Sequence, residues 1–321
     1  MTTNSVLHYT IPVEFLGERL DRVAAELCPQ FSRSQIQKWI KSGDLKLNDV
    51  TASVRDKVSG GDEITITPVL SPKITDLPET IDLDLVYEDE HLLVINKPAG
   101  LVVHPGAGNQ TGTLVNALLA HNAEQQNLPR AGIVHRLDKD TTGLMMVAKT
   151  LEAHNALVNQ LQDRQVKREY LALVSKEVIA GDTIEANIGR HPRDRKRMTV
   201  ITTGGGKTAI THYRVERRLQ HHTLLRVNLE TGRTHQIRVH LSWKHMPIVG
   251  DRVYGGRTRV PANIDQELRE ELQKMNRQAL HATRLTIQHP DSGEDISWEV
   301  PMPEDMQQLV EKLSIENEKT V

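Results

Sequence analysis

The chain has few of the residues that stabilise extracellular and metal-binding proteins. Its 321 residues include one cysteine, Cys28, which excludes an intramolecular disulfide and any multi-cysteine zinc site. It also lacks a run of the roughly 18 consecutive apolar residues that a membrane span needs. The N-terminus has neither the basic nor the apolar segment of a signal peptide. We therefore expect a soluble cytoplasmic protein with no membrane partner.

Aromatic residues are scarce, and neither sign of charge dominates. Only 3% of the chain is Phe, Trp or Tyr, which disfavours folds that read RNA with rows of stacked rings. The net charge is -2, so the total charge does not demand a nucleic-acid partner. Residues 190–197, however, carry five fixed positive charges against one acid. This run could bind phosphate locally or simply keep a loop soluble.

The sequence divides into a small module, a linker and a larger domain. Residues 14–67 predict two short helices, the second N-capped by Ser32 with Ile36, Trp39 and Ile40 on its apolar face, followed by strands. Three prolines interrupt residues 68–80, which we interpret as a linker. Helical and strand patterns then alternate without a second break, so residues 81–321 are predicted to form one domain.

Four segments of the larger domain look suited to chemistry. They are Asn96-Lys-Pro-Ala-Gly100, His135-Arg-Leu-Asp138, Arg168-Glu-Tyr170 and Glu230-Thr-Gly-Arg-Thr-His-Gln-Ile-Arg238. In the second segment a carboxylate lies at a turn before a predicted strand, where it could meet a substrate. Each segment also has an ordinary structural explanation, such as a turn cap for Asp138 or a surface ion pair for Arg238.

Together and in this order, the four segments resemble the RluA/RluD family of pseudouridine synthases, whose signature is His-Arg-Leu-Asp. The resemblance covers residues 14–303 and extends to residues 104–109, 250–256 and 278–282. The last three segments look most like members that modify large-subunit ribosomal RNA. Gly17-Glu-Arg-Leu-Asp21, Ser32-Arg-Ser-Gln-Ile36 and Gly60-Gly-Asp62 resemble the S4 RNA-binding domain.

The resemblance implies an α+β fold, with an S4-like module ahead of a catalytic domain built on a mixed, largely antiparallel sheet. It implies isomerisation of uridine to pseudouridine in 23S rRNA, in the large-subunit helix that meets the small subunit at the decoding centre. The reaction gains and loses no atoms, so we expect no cofactor and no metal. We further expect a monomer that acts on rRNA, either naked or within an assembling 50S particle.

The resemblance also assigns catalytic roles to Asp138, Tyr170 and Arg238. Asp138 is the catalytic carboxylate, and two routes stay open for it: attack on the ribose or assisted elimination to a glycal. Arg238 is its partner, since an adjacent arginine can lower an aspartate pKa by about 1–3 units. Tyr170 stacks on the target base and is also a candidate to take a proton from the sugar. Lys97 maps to a motif whose role is mainly structural.

Several further residues are implied in RNA binding. A target uridine must leave its stack, and the planar guanidinium of Arg136 is the candidate to fill the vacancy. In the S4-like module the candidates lie on or beside the second helix: Arg33, Ser34, Lys38 and Lys41. In the basic run they are Arg190, Arg193, Arg195, Lys196 and Arg197.

Other functions remain as alternatives. Asp138-Lys-Asp140-Thr-Thr resembles the loop of magnesium-dependent phosphotransferases, but a long hydrophobic strand should then precede it, where this chain has His-Arg-Leu. Gly204-Gly-Gly-Lys-Thr208 ends like a phosphate-binding loop, but the following residues alternate like a strand. Within the family, the chain could modify other rRNA or tRNA uridines, or bind RNA on the same scaffold without catalysis.

Overall fold

The chain forms two compact units, residues 1–75 and 76–321. The structure, a computed structural model, describes residues 6–29, 31, 33–67, 77–106, 108–194, 197–256, 264 and 266–319. The predicted N-cap Ser32 and residues 68–76 of the predicted linker lie outside these ranges.

The first unit packs two helices against a four-stranded antiparallel sheet. The helices are α1 (Leu20–Leu27) and α2 (Arg33–Ser42), and the strands are β1 (Leu7–Thr10), β2 (Leu45–Leu47), β3 (Val50–Thr51) and β4 (Glu63–Ile66), in the order β1-β4-β2-β3. Helix α1 begins only at Leu20, because Gly17 is left-handed and Arg19 is extended. Leu16 is therefore exposed, while Ile36, Trp39 and Ile40 of α2 are buried as predicted.

The second unit is built on a mixed sheet, nine-stranded in the described residues. Its strands are β5 (Leu85–Glu88), β6 (Leu92–Lys97), β7 (Thr142–Ala148), β8 (Lys167–Val174), β9 (Asp182–Glu185), β12 (Ile210–Leu219), β13 (His222–Leu229), β14 (Leu280–Gln288) and β15 (Asp295–Glu299). The order is β5-β6-β7-β14-β8-β13-β12-β9, and β15 pairs with β14. Among these strands only β7 and β14 pair in parallel. The predicted α+β fold with a largely antiparallel sheet is confirmed. Strands β10 (Ile188–Arg190) and β11 (Met198–Val200) form a separate hairpin.

Helices accompany this sheet and cover the core. They are α3 (Leu114–His121), α4 (Leu151–Gln162), α5 (Gln236–Trp243), α6 (Gln266–Lys274) and α7 (Glu304–Lys319). The Thr150 hydroxyl accepts a hydrogen bond from the Ala153 N–H and caps α4. Leu157 of α4 belongs to the same buried apolar cluster as Met146 and Leu285 of the sheet. No helix in the described part of the chain is long and apolar enough to cross a membrane.

The pairing of β7 with β14 fixes the strand that follows Asp138. Every residue of β7 is buried, as befits a central strand covered on both faces. Gly143 has φ +109°, and a Cβ there would lie 2.2 Å from the Ala282 carbonyl oxygen, so only glycine fits without distortion. Beside it, the Thr142 hydroxyl lies 2.9 Å from His281 Nδ1. Residues 278–282, which resembled the family without an evident role, thus support the loop that carries Asp138.

Candidate active site

The loop between Gly132 and β7 presents Asp138. His135 is held inside the protein, and its Nε2 accepts a hydrogen bond from the Met146 N–H at 3.1 Å. Burial lowers the pKa of His135 to about 3, with a smaller effect from Arg168, so the ring is a neutral acceptor at pH 7. Leu137 is buried as well. These two anchors leave the side chain of Asp138 16% exposed, within reach of a substrate.

Lys97, at the end of β6, secures the other side of this loop. Its ammonium is completely buried and donates to the carbonyls of Pro98, Leu101 and Lys139 at 2.7, 3.0 and 2.9 Å. Burial lowers the pKa of Lys97 to about 8, against the opposing charges of Asp140 and Asp138. Because all three N–H groups are used, Lys97 joins the loop after β6 to the residue that follows Asp138.

Arg238 lies between two carboxylates. Its Nη1 donates to Asp138 Oδ2 at 2.8 Å, while Nε and Nη2 donate to the two oxygens of Asp251 at 2.7 and 3.0 Å. Burial by itself lowers the pKa of Arg238, but the hydrogen bonds and charges of Asp251 and Asp138 outweigh it and raise that pKa. The bidentate pair with Asp251 fixes the plane of the guanidinium and thereby directs Nη1 at Asp138.

Asp251 is itself held by the backbone of its turn. Its Oδ1 also accepts hydrogen bonds from the N–H groups of Val253 and Tyr254, and its side chain is 1% exposed. Sequence reasoning missed Asp251. The signal was present in the segment Gly250-Asp-Arg-Val-Tyr-Gly-Gly256, which was noted for its resemblance but given no role.

Tyr254 and His235 form a second missed contact to the site. The Tyr254 hydroxyl accepts from the Met198 N–H at 2.9 Å and lies 2.7 Å from His235 Nδ1. Burial lowers the pKa of His235, so the ring is neutral and Nδ1 accepts the tyrosine proton. The ring proton is then on Nε2, which lies 3.8 Å from Asp138 Oδ1. The Tyr254 ring also contacts the Arg238 guanidinium, 5.1 Å from its centroid.

Tyr170 lies in β8, between Val227 of β13 and Ala282 of β14. It is 5% exposed, and it interacts electrostatically with Asp138. Burial raises the pKa of Tyr170, Arg168 opposes this, and Asp138 adds to it. The phenol is therefore protonated at neutral pH. The structure thus brings Asp138, Arg238 and Tyr170 into one region.

Arg136 is exposed two residues before Asp138. Arg130, which sequence reasoning did not single out, lies on the same side, since both arginines affect His104. Burial, then Arg130 and Arg136, lower the pKa of His104 to about 4. Two exposed arginines therefore lie near His104, and no signal in the sequence distinguished Arg130 from other exposed arginines.

The described residues of the basic run lie at the end of β10 and between β10 and β11. Arg190 and Arg193 are exposed, whereas Arg195 and Lys196 lie outside the described residues. The Arg197 guanidinium lies over the Tyr254 ring at 5.4 Å. Together with the Met198 contact, this joins the hairpin to the residue that also contacts Arg238.

The candidate RNA-binding residues of the first unit differ in their surroundings. Lys38 and Lys41 of α2 are exposed. Arg33 instead donates to Asp21 at 2.8 and 3.0 Å, and Arg19 donates to the same buried carboxylate. Arg33 therefore has a structural role in addition to any RNA contact. Ser34 lies within α2, and its side chain is outside the described part of the structure.

Comparison with known proteins identifies the family. The sequence profile of RNA pseudouridylate synthases matches residues 91–243, and that of the S4 domain matches residues 18–64. A ribosomal large subunit pseudouridine synthase D from Pseudomonas aeruginosa is 52% identical over 97% of both chains. The chain belongs to the RNA pseudouridylate synthase family. It is an RNA pseudouridine synthase with an S4 domain ahead of the catalytic domain.

Other relatives agree with this assignment. The Xanthomonas campestris protein of the same name is 51% identical, over 97% of this chain and 93% of that one. The Escherichia coli strain K12 protein is 47% identical, over 97% and 95%. Among solved structures, human RNA pseudouridylate synthase domain containing 4 is 25% identical with a TM-score of 0.55, over 71% of this synthase and 92% of that chain.

Proposed function

We propose that this synthase converts specific uridines of large-subunit rRNA to pseudouridine, with Asp138 as the catalytic carboxylate. The observation that carries the proposal is the ion pair between Asp138 and Arg238. Asp251 orients Arg238 by accepting two further hydrogen bonds from its guanidinium. The names of the relatives, ribosomal large subunit pseudouridine synthase D, support the class of RNA. The proposed target is the 23S rRNA helix that meets the small subunit at the decoding centre.

The chemistry explains why the site needs an oriented carboxylate. The C1′–N1 bond of uridine breaks, the base rotates, and a C1′–C5 bond forms; the proton on C5 leaves and N1 gains one. Positive charge develops on the sugar as the first bond breaks, so a carboxylate at Asp138 can stabilise or trap it. Arg238 holds the carboxylate in one orientation.

Tyr170 contacts the target base, and Arg136 fills the space that the base leaves in the RNA. Because burial raises the pKa of Tyr170, its hydroxyl stays protonated and no phenolate is available to take a proton, which favours stacking on the uracil over proton abstraction. The exposed Arg136 is placed to fill the vacancy in the RNA stack, since its guanidinium can stack on bases. Lys38 and Lys41 of α2 and the arginines of the hairpin supply contacts to phosphate.

Asp138→Asn is the direct test of the proposed role. The variant keeps the shape of the side chain but removes its charge, so RNA affinity and Tm should stay close to wild type. We expect pseudouridine formation to fall by at least about 10³-fold, as with loss of an essential catalytic group. Release of tritium from 5-tritiated uridine measures the rate. Product formation at the wild-type rate would refute the role of Asp138.

Mapping of pseudouridine in the RNA of cells with and without the gene tests the substrate. We expect one or more sites in the decoding-centre helix of 23S rRNA to disappear without the gene and to return with the wild-type chain. Loss of sites in other rRNA or in tRNA would assign the synthase to that RNA instead. An unchanged map would leave RNA binding alone as the function.

A further inference from the structure

Arg168 is a buried cation with no counter-ion among the residues that the structure describes. The residue is 8% exposed, and its Nε is buried without a hydrogen-bond partner. No hydrogen bond or ion pair joins the guanidinium to any residue in the described ranges. Burial lowers the pKa of Arg168, yet an arginine remains protonated in a protein. An unpaired buried charge is unfavourable, which suggests that an anion completes this environment in the working state.

The position of Arg168 is next to the proposed base site. It precedes Tyr170 by two residues in β8, and alternate residues of a strand share a face. Gly232, which is exposed, lies directly against the guanidinium: a Cβ on it would be 2.7 Å from Arg168 Nη1. Arg233 follows, and its charge acts on Arg168. The Arg233 Nε donates to the Thr208 carbonyl at 3.0 Å, which leaves its other N–H groups available close to Arg168 and to exposed backbone.

Glu169, next to Arg168 in sequence, and Glu230, three residues before Arg233, are already paired with other residues. Glu169 accepts from Arg226 at 2.8 Å. Glu230 accepts from Arg164 at 2.8 Å and contacts His212 at 2.7 Å. These acids are therefore engaged elsewhere, so within the described residues neither of them neutralises Arg168 and the site is open to an anionic ligand.

We propose that Arg168, assisted by Arg233, binds a backbone phosphate adjacent to the target uridine. This inference rests on the proposed function, because RNA supplies the phosphate. The uracil ring of the substrate is uncharged and cannot provide the counter-ion. A guanidinium is suited to two parallel hydrogen bonds with phosphate, and the contact is strong where water is excluded. The pair forms only when the nucleotide has entered the site, so it favours the captured state.

The test combines protein and RNA changes in one cycle. Arg168→Met is compared with wild type on an rRNA stem-loop that contains the mapped uridine. The same RNA is also made with neutral methylphosphonate linkages on both sides of that uridine. Each single change should weaken binding by about tenfold or more, and the two together should be no weaker than one alone, because they remove the same contact. Arg217→Met, at an exposed arginine of β12, is the control. Any loss of affinity that it causes should multiply with the loss caused by the neutral linkages, because the two changes affect different contacts.

Stability and the conservative variant separate this role from a structural one. The Tm of Arg168→Met should equal or exceed that of wild type, because an unpaired buried charge has been removed. Arg168→Lys keeps the positive charge without the bidentate geometry, so it should lose less affinity than Arg168→Met. On the RNA with neutral linkages, Arg168→Lys should bind as tightly as wild type. If Arg168→Met unfolds, the cycle is completed with Arg168→Lys.

Two results would overturn the phosphate site. One is that the loss of affinity caused by Arg168→Met multiplies with the loss caused by the neutral linkages. The other is that Arg168→Met lowers kcat while RNA affinity is unchanged. The positive charge of Arg168 would then act on the departing uracil and not on a phosphate. The outcome is independent of the proposed reaction, because the cycle measures RNA binding and not pseudouridine formation. If the wild-type chain binds this RNA but forms no pseudouridine in it, the proposed substrate is wrong and the phosphate site remains.

Discussion

At the scale of single residues, the two carboxylates around Arg238 are not equivalent. Asp251 receives two hydrogen bonds from the guanidinium and two from backbone N–H groups, whereas Asp138 receives one from the guanidinium. Asp251 is therefore the anchor, and Asp138 keeps oxygens available for substrate. The sequence nominated Asp138 and Arg238 through their motifs. It could not nominate Asp251, because no local spacing shows that a turn 13 residues after Arg238 folds back onto it.

Asp251→Asn tests this division of roles. Asparagine has an NH2 donor in place of one of the two acceptor oxygens, so it cannot pair with Nε and Nη2 together, and Arg238 should lose its fixed orientation. We expect single-turnover kcat to fall by about tenfold or more, with RNA affinity within roughly twofold, because Asp251 is buried away from RNA. Glu216→Gln, which disturbs the more exposed pair with Arg226, is the matched control and should retain its kcat. An unchanged kcat in Asp251→Asn would show that Arg238 is positioned by other contacts.

At the scale of elements, the sequence predicted β7 and failed to predict α5. The apolar run up to Ala148 leaves few alternatives to a buried strand. Helix α5 is buried over most of its surface, so it lacks the single apolar stripe that marks a surface helix. Its N-cap is His235 in a left-handed conformation, not one of the usual capping residues. Tertiary packing, which a local pattern does not contain, determines this helix.

Gly143→Ala tests the close contact between β7 and β14. The added Cβ would clash with the Ala282 carbonyl in a backbone conformation that alanine disfavours. We expect the free energy of unfolding in urea to fall by about 3 kcal/mol or more. Gly293→Ala is the control: its φ is also positive, at 73°, but nothing lies within 4 Å of the new methyl group. That change should cost about 1 kcal/mol. Equal losses would attribute the effect to φ alone.

At the scale of the whole molecule, the nearly neutral total charge hides separate basic surfaces. Lys38 and Lys41 lie in the first unit, while Arg136 and the hairpin lie in the second. Composition alone could not locate them; the motifs did. RNA binding is thus expected to depend on residues in both units, whereas the reaction depends on the second.

Replacement of both Lys38 and Lys41 by glutamine tests that separation. We expect weaker RNA binding and a reduction of about two in the slope of log affinity against log salt, one for each lost phosphate contact. The kcat at saturating RNA should not change. Lys46→Gln, at an exposed lysine of β2, is the control and should leave the slope unaltered. An unaltered slope in the double variant would remove α2 from the proposed interface.

The pairing of β7 with β14 has a consequence for biosynthesis. The Thr142–His281 contact joins residues 139 positions apart, and the Gln278–Thr141 hydrogen bond joins residues 137 apart. Contacts so distant in sequence form late, because a long stretch of chain must be ordered first. A ribosome that is still making this protein has therefore not yet released a working catalyst, and a nascent chain stopped before residue 278 should form no pseudouridine, even though its first unit is complete.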